Sequence, residues 1–168
     1  GALQTLGYPV SSDSINKGFQ KTIWPGRFTC LCHTPLFFID GAHNEAAAIC
    51  LRETLESYFP GRRLIYIMGV FKDKEYEKIA AVMAPLAKSI HTLTLPDRKR
   101  SLPAEMLAEV MQKYCPPDIS IQSEPDEKTA VESTLSEAKE DDIILAFGSL
   151  SYLGEIMKTV HHITINTK

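Results

Sequence analysis

Several common signatures are missing from this 168-residue chain. It contains no G-x-x-x-x-G-K-[ST] and no G-x-G-x-x-G stretch. By itself it therefore offers neither a Walker-type phosphate cradle nor a dinucleotide fingerprint. No apolar run approaches the roughly 20 residues of a membrane span. The first residues carry neither a basic start nor a long apolar core, and no methionine opens them. Positive charge is not in excess: 18 Lys and Arg stand against 21 Asp and Glu, for a net charge of −3. That balance argues against nucleic acid or an anionic membrane surface as a partner. Cysteine is sparse, with only Cys30, Cys32, Cys50 and Cys115, and no C-x2-C pair suggests zinc. No metal site is expected. Cys30 and Cys32, two apart in a strand pattern, should share one face with His33 on the other. Reduced, partly buried thiols in a cytoplasmic protein are the expected reading.

What remains is ordinary globular material, 44% hydrophobic and 23% charged, long enough for one domain with a proper core. Ser11-Ser12-Asp13 is placed to cap a short helix running to about Thr22, and Pro25 and Gly26 then break the chain. From there strand and helix patterns alternate. Strands are expected over 28–33 and 36–39, joined by Thr34-Pro35, then over 64–68, 89–95, 119–122 and 143–147. Helices are expected over 44–59, 75–86, 104–114, 127–138 and 152–160. The runs Leu64–Met68 and Ile143–Phe147 are apolar without interruption, as in strands covered on both faces. Residues 161–168 read as a loose tail or an edge strand. The alternation predicts an α/β fold. Its mostly parallel, Rossmann-like sheet is flanked by helices and carries an N-terminal β-hairpin or antiparallel edge.

Ligands of such sheets sit beyond the carboxyl ends of the strands. The ends here are Asp40-Gly41-Ala42-His43, Gly69 to Lys74, Pro96 to Arg100 and Gly148-Ser149, so polar clusters should gather on one rim. His43 and Asn44 sit where a helix begins, and free amides there favour an anion. Asn44 suits an N-cap equally well, and Asp40 a turn brace. Arg27 has the planar fork that suits phosphate oxygens, or is a surface arginine. Asp73 and Lys74 form a charged turn. Arg98, Lys99 and Arg100 suit a carboxylate or a solvated loop. Trp24 reads as a packing anchor, and His91, His161 and His162 as structural or incidental.

The motifs narrow these choices. Trp24-Pro25-Gly26-Arg27, followed by Asp40-Gly41-Ala42-His43-Asn44 with Arg27 thirteen positions ahead of Asp40, resembles the C-terminal domain of folylpolyglutamate synthase. The bacterial form often also acts as dihydrofolate synthase. Gly69 to Tyr76 resembles that family's G-x-x-x-D-K-D-Y segment, with Glu75 where aspartate is frequent. Gly148 to Glu155 resembles its G-S-L-Y-L-x-G-E segment, with Ser151 where tyrosine is frequent. The likeness runs from about Gly1 to Val160 and places the chain with the Mur ligase superfamily.

That resemblance implies a division of the chain. Residues 1–22 would be the end of a preceding ATPase domain plus linker, 23–160 a Mur-ligase-type C-terminal domain and 161–168 a tail. The phosphate loop would lie on the missing domain, and this chain alone is expected to be inactive. The reaction implied is ATP-dependent addition of L-glutamate to a folate, tetrahydrofolate or dihydropteroate, through an acyl phosphate. His43 would act at the transferring phosphoryl group, Arg27 on ATP phosphates and Asp40 at the ribose or its surroundings. Asn44, Asp73, Lys74, Arg100 and Ser149 would help to place substrate. Mg²⁺ ligands would lie on the missing domain. The rival within the superfamily is the C-terminal domain of a muramyl amino-acid ligase. From another class, the rival is a non-catalytic nucleotide-sensing or interaction module.

Overall fold

A computed structural model describes residues 1–22 and 24–166. Ile23, the expected first residue of the domain, and Thr167 and Lys168, the end of the expected tail, lie outside the described residues. Two short helices come first, α1 (Ala2–Thr5) and α2 (Ser12–Lys21). Ser11 caps α2 by accepting the Ser14 amide, and no residue of either helix is buried. A hairpin of β1 (Thr29–His33) and β2 (Leu36–Ile39) follows. Then come α3 (Glu45–Tyr58), β3 (Leu64–Met68), α4 (Tyr76–Met83) with a 3-10 turn at Ala84–Leu86, and β4 (Ala87–Leu93). The chain continues through α5 (Ala104–Gln112), β5 (Ser120–Glu124), α6 (Glu127–Glu137), β6 (Ile143–Phe147) and α7 (Leu150–Asn166).

Among the described residues the strands form one six-stranded sheet of order β1-β2-β6-β3-β4-β5. All neighbours are parallel except the β1–β2 pair. The expected antiparallel edge is therefore that hairpin. The last strand in sequence, β6, is inserted between β2 and β3. It and β3 are buried along their whole length, as their unbroken apolar runs require.

Helices α3, α4 and α5 pack on one face and α6 and α7 on the other. The alternation of β3 feeds both layers: Leu64, Tyr66 and Met68 meet the first, Ile65 and Ile67 the second. Tyr152, near the start of α7, is fully buried. Its hydroxyl lies 2.6 Å from the Phe147 carbonyl and 3.1 Å from that of Ile67, so one side chain joins the ends of β6 and β3. Burial pushes its phenol far above the ordinary range.

Four expectations are corrected. Residues 161–166 are no loose tail or edge strand but the last turns of α7, where Ile163 packs against the second core layer. Cys30 and Cys32 do not share a face. A bulge between them pairs Cys30 with Phe38 and Cys32 with Phe37, so Cys30 meets the first core layer and Cys32 the second. Cys30 instead lies beside His33, with Sγ 3.8 Å from Nδ1. Cys50 is exposed rather than partly buried, because it lies on the outer side of α3. Trp24 is no packing anchor: it is 70% exposed. His91 is structural, buried with its ring nitrogens 2.7 Å from Glu124 and 3.2 Å from Glu137.

At the other end of the sheet from the candidate rim, Lys88 donates to Asp142 at 2.6 Å. Burial alone would raise the Asp142 carboxyl. The Lys88 ammonium, the Lys139 amide and the charge of Arg62 outweigh it and hold the group below the usual carboxylate range. A depressed native value stabilises the fold above the unfolded carboxyl's range, about pH 3.9, and that stability is lost as pH falls through the native value. Asp142→Asn is expected to cost about 2 kcal/mol at pH 7. Urea unfolding of both proteins at pH 7 and pH 3 checks this: the gap between them should narrow in acid, and an equal gap at both pH values refutes it.

Candidate functional site

The carboxyl ends of β2, β3, β4 and β6 do converge. One cleft of about 260 Å³ is lined by His43 after β2, Phe71 and Lys74 after β3, Arg100 after β4, and Ser149, Leu150 and Ser151 after β6. Four of the residues singled out in the sequence, His43, Lys74, Arg100 and Ser149, thus share one wall. A second cleft, of about 210 Å³, is lined by Arg27, Phe28, Asp40, Ala47, Cys50, Leu51 and Thr54. Arg27 and Asp40 meet there. Asn44 and Asp73 line neither cleft.

Local chemistry explains each placement. Asp40 is held rigidly: Oδ2 accepts the Phe28 amide and Oδ1 the Ala42 amide, both at 2.8 Å. The carboxylate so ties the segment after the W-P-G-R cluster to the D-G-A-H turn. Phe28 pays a conformational cost for this, with φ 42° in the left-handed region. Its ring is fixed by stacking on Phe38, centroids 4.6 Å apart, and such over-determination is what sustains a strained backbone. The turns also meet directly, through the Gly41 amide donating to the Gly26 carbonyl at 2.7 Å. The side chain of Leu150 lies against both glycines, where a Cβ would crowd it.

His43 donates from Nδ1 to the Gly41 carbonyl at 2.8 Å. A carbonyl can only accept, so Nδ1 carries the proton and Nε2 is left for the cleft. Asn44 caps α3, its Oδ1 accepting the Ala47 amide at 2.9 Å. Ser149 is buried and its hydroxyl meets that of Ser151 at 2.9 Å and the Ser151 amide at 3.2 Å.

Arg100 is braced from two sides. Its Cζ stands 4.4 Å from the centroid of the Phe71 ring, and Nη2 lies 3.2 Å from Asp73 Oδ2. Sequence reading missed Phe71, Leu150, Ser151 and Phe28. Leu150 and Ser151 lie inside the G-S-L segment, which was a usable signal. Phe71 lay inside the strand-end segment Gly69 to Lys74, but an aromatic after an apolar strand reads as core. The cleft holds up to three cationic groups and no carboxylate in its wall. Its chemistry suits an anion. Among the described residues no group of three or more His, Cys, Asp or Glu side chains is arranged to hold a metal ion. No described helix is long and apolar enough to cross a membrane.

Comparison with known proteins adds the family. The model of "Mur ligase, glutamate ligase domain" matches residues 26–150, from the W-P-G-R glycine to the G-S-L segment. A probable bifunctional folylpolyglutamate synthase/dihydropteroate synthase of Halobacterium salinarum is 32% identical over 154 residues, 92% of this chain and 18% of that protein. A dihydrofolate synthase/folylpolyglutamate synthase of Bacillus subtilis is 27% identical over 151 residues, 89% of this chain and 33% of that protein. Among solved structures, a bifunctional folylpolyglutamate synthase/dihydrofolate synthase with Mn, AMPPNP and L-glutamate bound superposes with a TM-score of 0.80 at 26% identity. That match covers 95% of this chain and 38% of that one. The chain thus spans a third or less of the length of these two curated relatives. With the family model covering most of its length and the fold and rim in agreement, the chain belongs to the Mur ligase family and carries its glutamate ligase domain.

Proposed function

We propose that this chain is the C-terminal part of an ATP-dependent ligase that adds L-glutamate to a folate, either tetrahydrofolate or dihydropteroate. The observation that carries the reading is the convergence of His43, Lys74, Arg100 and Ser149, from four separate strand ends, on one anion-suited cleft. The folylpolyglutamate and dihydrofolate synthase names of the relatives support the substrate class. The AMPPNP, Mn and L-glutamate of the solved relative support a nucleotide, a divalent cation and glutamate as its company.

In this reading a folate carboxylate oxygen attacks the γ-phosphorus of ATP, and the bond to the leaving ADP breaks. The amine nitrogen of glutamate then attacks the acyl carbon, phosphate departs, and the amine gives up a proton as the amide forms. Such chemistry rests on positioning and charge stabilisation. Arg27 contacts ATP phosphates, with Asp40 near the ribose. His43 presents Nε2 to the transferring phosphoryl group. Lys74, Arg100 and Ser149 place glutamate, with Asp73 behind Arg100 and Asn44 holding the start of α3. Among the described residues no group of three or more His, Cys, Asp or Glu side chains is arranged to hold a cation. Mg²⁺ belongs to the remainder of the protein in this proposal, and no step here runs through it. Residues 1–22 are assigned to the end of the preceding ATPase domain and its linker, 23–160 to the ligase domain, and the protein to the cytoplasm.

The test is ATP-dependent glutamate incorporation by the full-length protein, with tetrahydrofolate and dihydropteroate against a UDP-muramyl acceptor. Incorporation on a folate supports the proposal, and incorporation only on the muramyl acceptor refutes it. The chain alone should give no turnover and should bind ATP with a Kd on the order of 1 mM or weaker, since a few polar contacts do not offset the cost of association. Calorimetry showing micromolar affinity would mean that a complete nucleotide site lies within this chain.

A further inference from the structure

We propose that Phe71 is a positioning residue for Arg100, and that Arg100, so held, reads the second carboxylate of a dicarboxylic amino acid. The proposal rests on the reading above, that the cleft receives glutamate. A long guanidinium side chain at an exposed rim loses rotamer freedom whenever it binds. Arg98, Lys99 and Arg100 form one basic run, all three exposed, yet only Arg100 lines the cleft.

Three features hold it there. The Phe71 ring lies 4.4 Å from Arg100 Cζ, within cation–π range. Asp73 accepts from Nη2 at 3.2 and 3.4 Å, and the remaining guanidinium donors stay open for a fork-to-fork contact. The backbone is fixed as well. Phe71 and Ser101 form an antiparallel bridge, the Lys72 amide donates to the Arg100 carbonyl at 2.8 Å, and the Leu102 amide donates to the Val70 carbonyl at 3.0 Å. The loop after β4 is thereby fastened to the loop after β3.

An amino acid with one carboxylate needs one cation. This cleft offers Lys74 and Arg100 in addition to His43, with two serines and no acidic residue in its wall. Two positive groups suit a dicarboxylate. Lys74 is a point charge on a flexible stem. Arg100 is a planar fork whose plane matters, so the ring that sets the plane contributes to selectivity. Preorganisation of this kind acts on binding in the ground state, so its loss raises KM.

The experiment is steady-state glutamate incorporation by the full-length protein, with glutamine as the isosteric competitor lacking the second charge. Arg100→Ala should raise the KM for glutamate about tenfold or more and abolish the preference for glutamate over glutamine. Phe71→Leu should raise the KM for glutamate about two- to fivefold, with little change in kcat or in the KM for ATP. Phe71→Tyr, which keeps the ring, should restore the unmodified value. Phe71→Met serves if the leucine variant fails to fold. In the Arg100→Ala background, Phe71→Leu should add nothing.

An undiminished effect of Phe71→Leu in that background would show that the ring touches substrate directly and would overturn the positioning role. An unchanged KM in the single variant, while Arg100→Ala raises it, would overturn it too. Equal use of glutamine and glutamate by the unmodified protein refutes the two-carboxylate reading alone. Failure to incorporate glutamate on any acceptor refutes the functional reading and the proposal together.

Discussion

On the proposed function, replacing His43 by alanine in the full-length protein is expected to lower kcat about 10²–10³-fold, with a far smaller rise in the KM for folate. The geometry gives the reason. His43 lies between the turn after β2 and the start of α3, and its Nδ1 is tied to the Gly41 carbonyl. The ring cannot rotate without breaking that bond, so Nε2 is held in one direction. With Nδ1 donating to Gly41, Nε2 can donate to the phosphoryl oxygens only as imidazolium, and a charged donor so aimed is worth most when their charge is redistributed in the transition state, where such interactions appear in kcat. The same ring could instead only stiffen the turn. In that case His43→Ala would leave kcat within about threefold, and the loss would show as a lower melting temperature. Single-turnover kinetics together with thermal unfolding of the variant separate the two outcomes.

Gly148→Ala is expected to destabilise the domain by about 3 kcal/mol or more. Gly148 has φ +111°, where residues with a Cβ are strained. A Cβ there would lie 2.5 Å from the carbonyl oxygen of Gly69 and 3.0 Å from Val70 Cγ1. The first obstacle is backbone at the end of β3, and moving it would disturb the segment that leads to Phe71 and Lys74. At this chain length the cost corresponds to a melting temperature lower by about 6–12 °C. Gly154→Ala is the control. Gly154 lies inside α7 with open space around it, and alanine there should stabilise by about 0.5–1 kcal/mol. Urea denaturation of both variants checks the pair. Equal midpoints for Gly148→Ala and the unmodified chain would mean that the close approach of the segments after β3 and β6 tolerates a side chain after all.

Much of this arrangement was legible in the residues alone. The buried runs Leu64–Met68 and Ile143–Phe147, the hairpin at Thr34-Pro35, and the helix begun at Asn44 are all written in local periodicity and turn chemistry. So was the expectation that polar clusters at the strand ends gather on one rim, and it named the segments that hold His43, Lys74, Arg100 and Ser149. Periodicity is a short-range property, and it failed where long-range packing decides. It ended the last helix at Val160, whereas Ile163 finds a place against the second core layer and α7 continues to Asn166. It set Cys30 and Cys32 on one face, because a bulge is selected by the strand opposite and not by the bulged residues.

The sequence by itself determined the alternating α/β pattern, the strand ends that carry polar groups, and the W-P-G-R and D-G-A-H-N clusters. Only the tertiary structure decided that β6 enters between β2 and β3, which sets Ser149 among His43, Lys74 and Arg100. It also decided that Phe71 stands beside the Arg100 guanidinium at the cleft. The physical reason is that strand order and loop pairing depend on burying both faces of the sheet at once. That condition is met by residues far apart in the chain, and no local pattern encodes it.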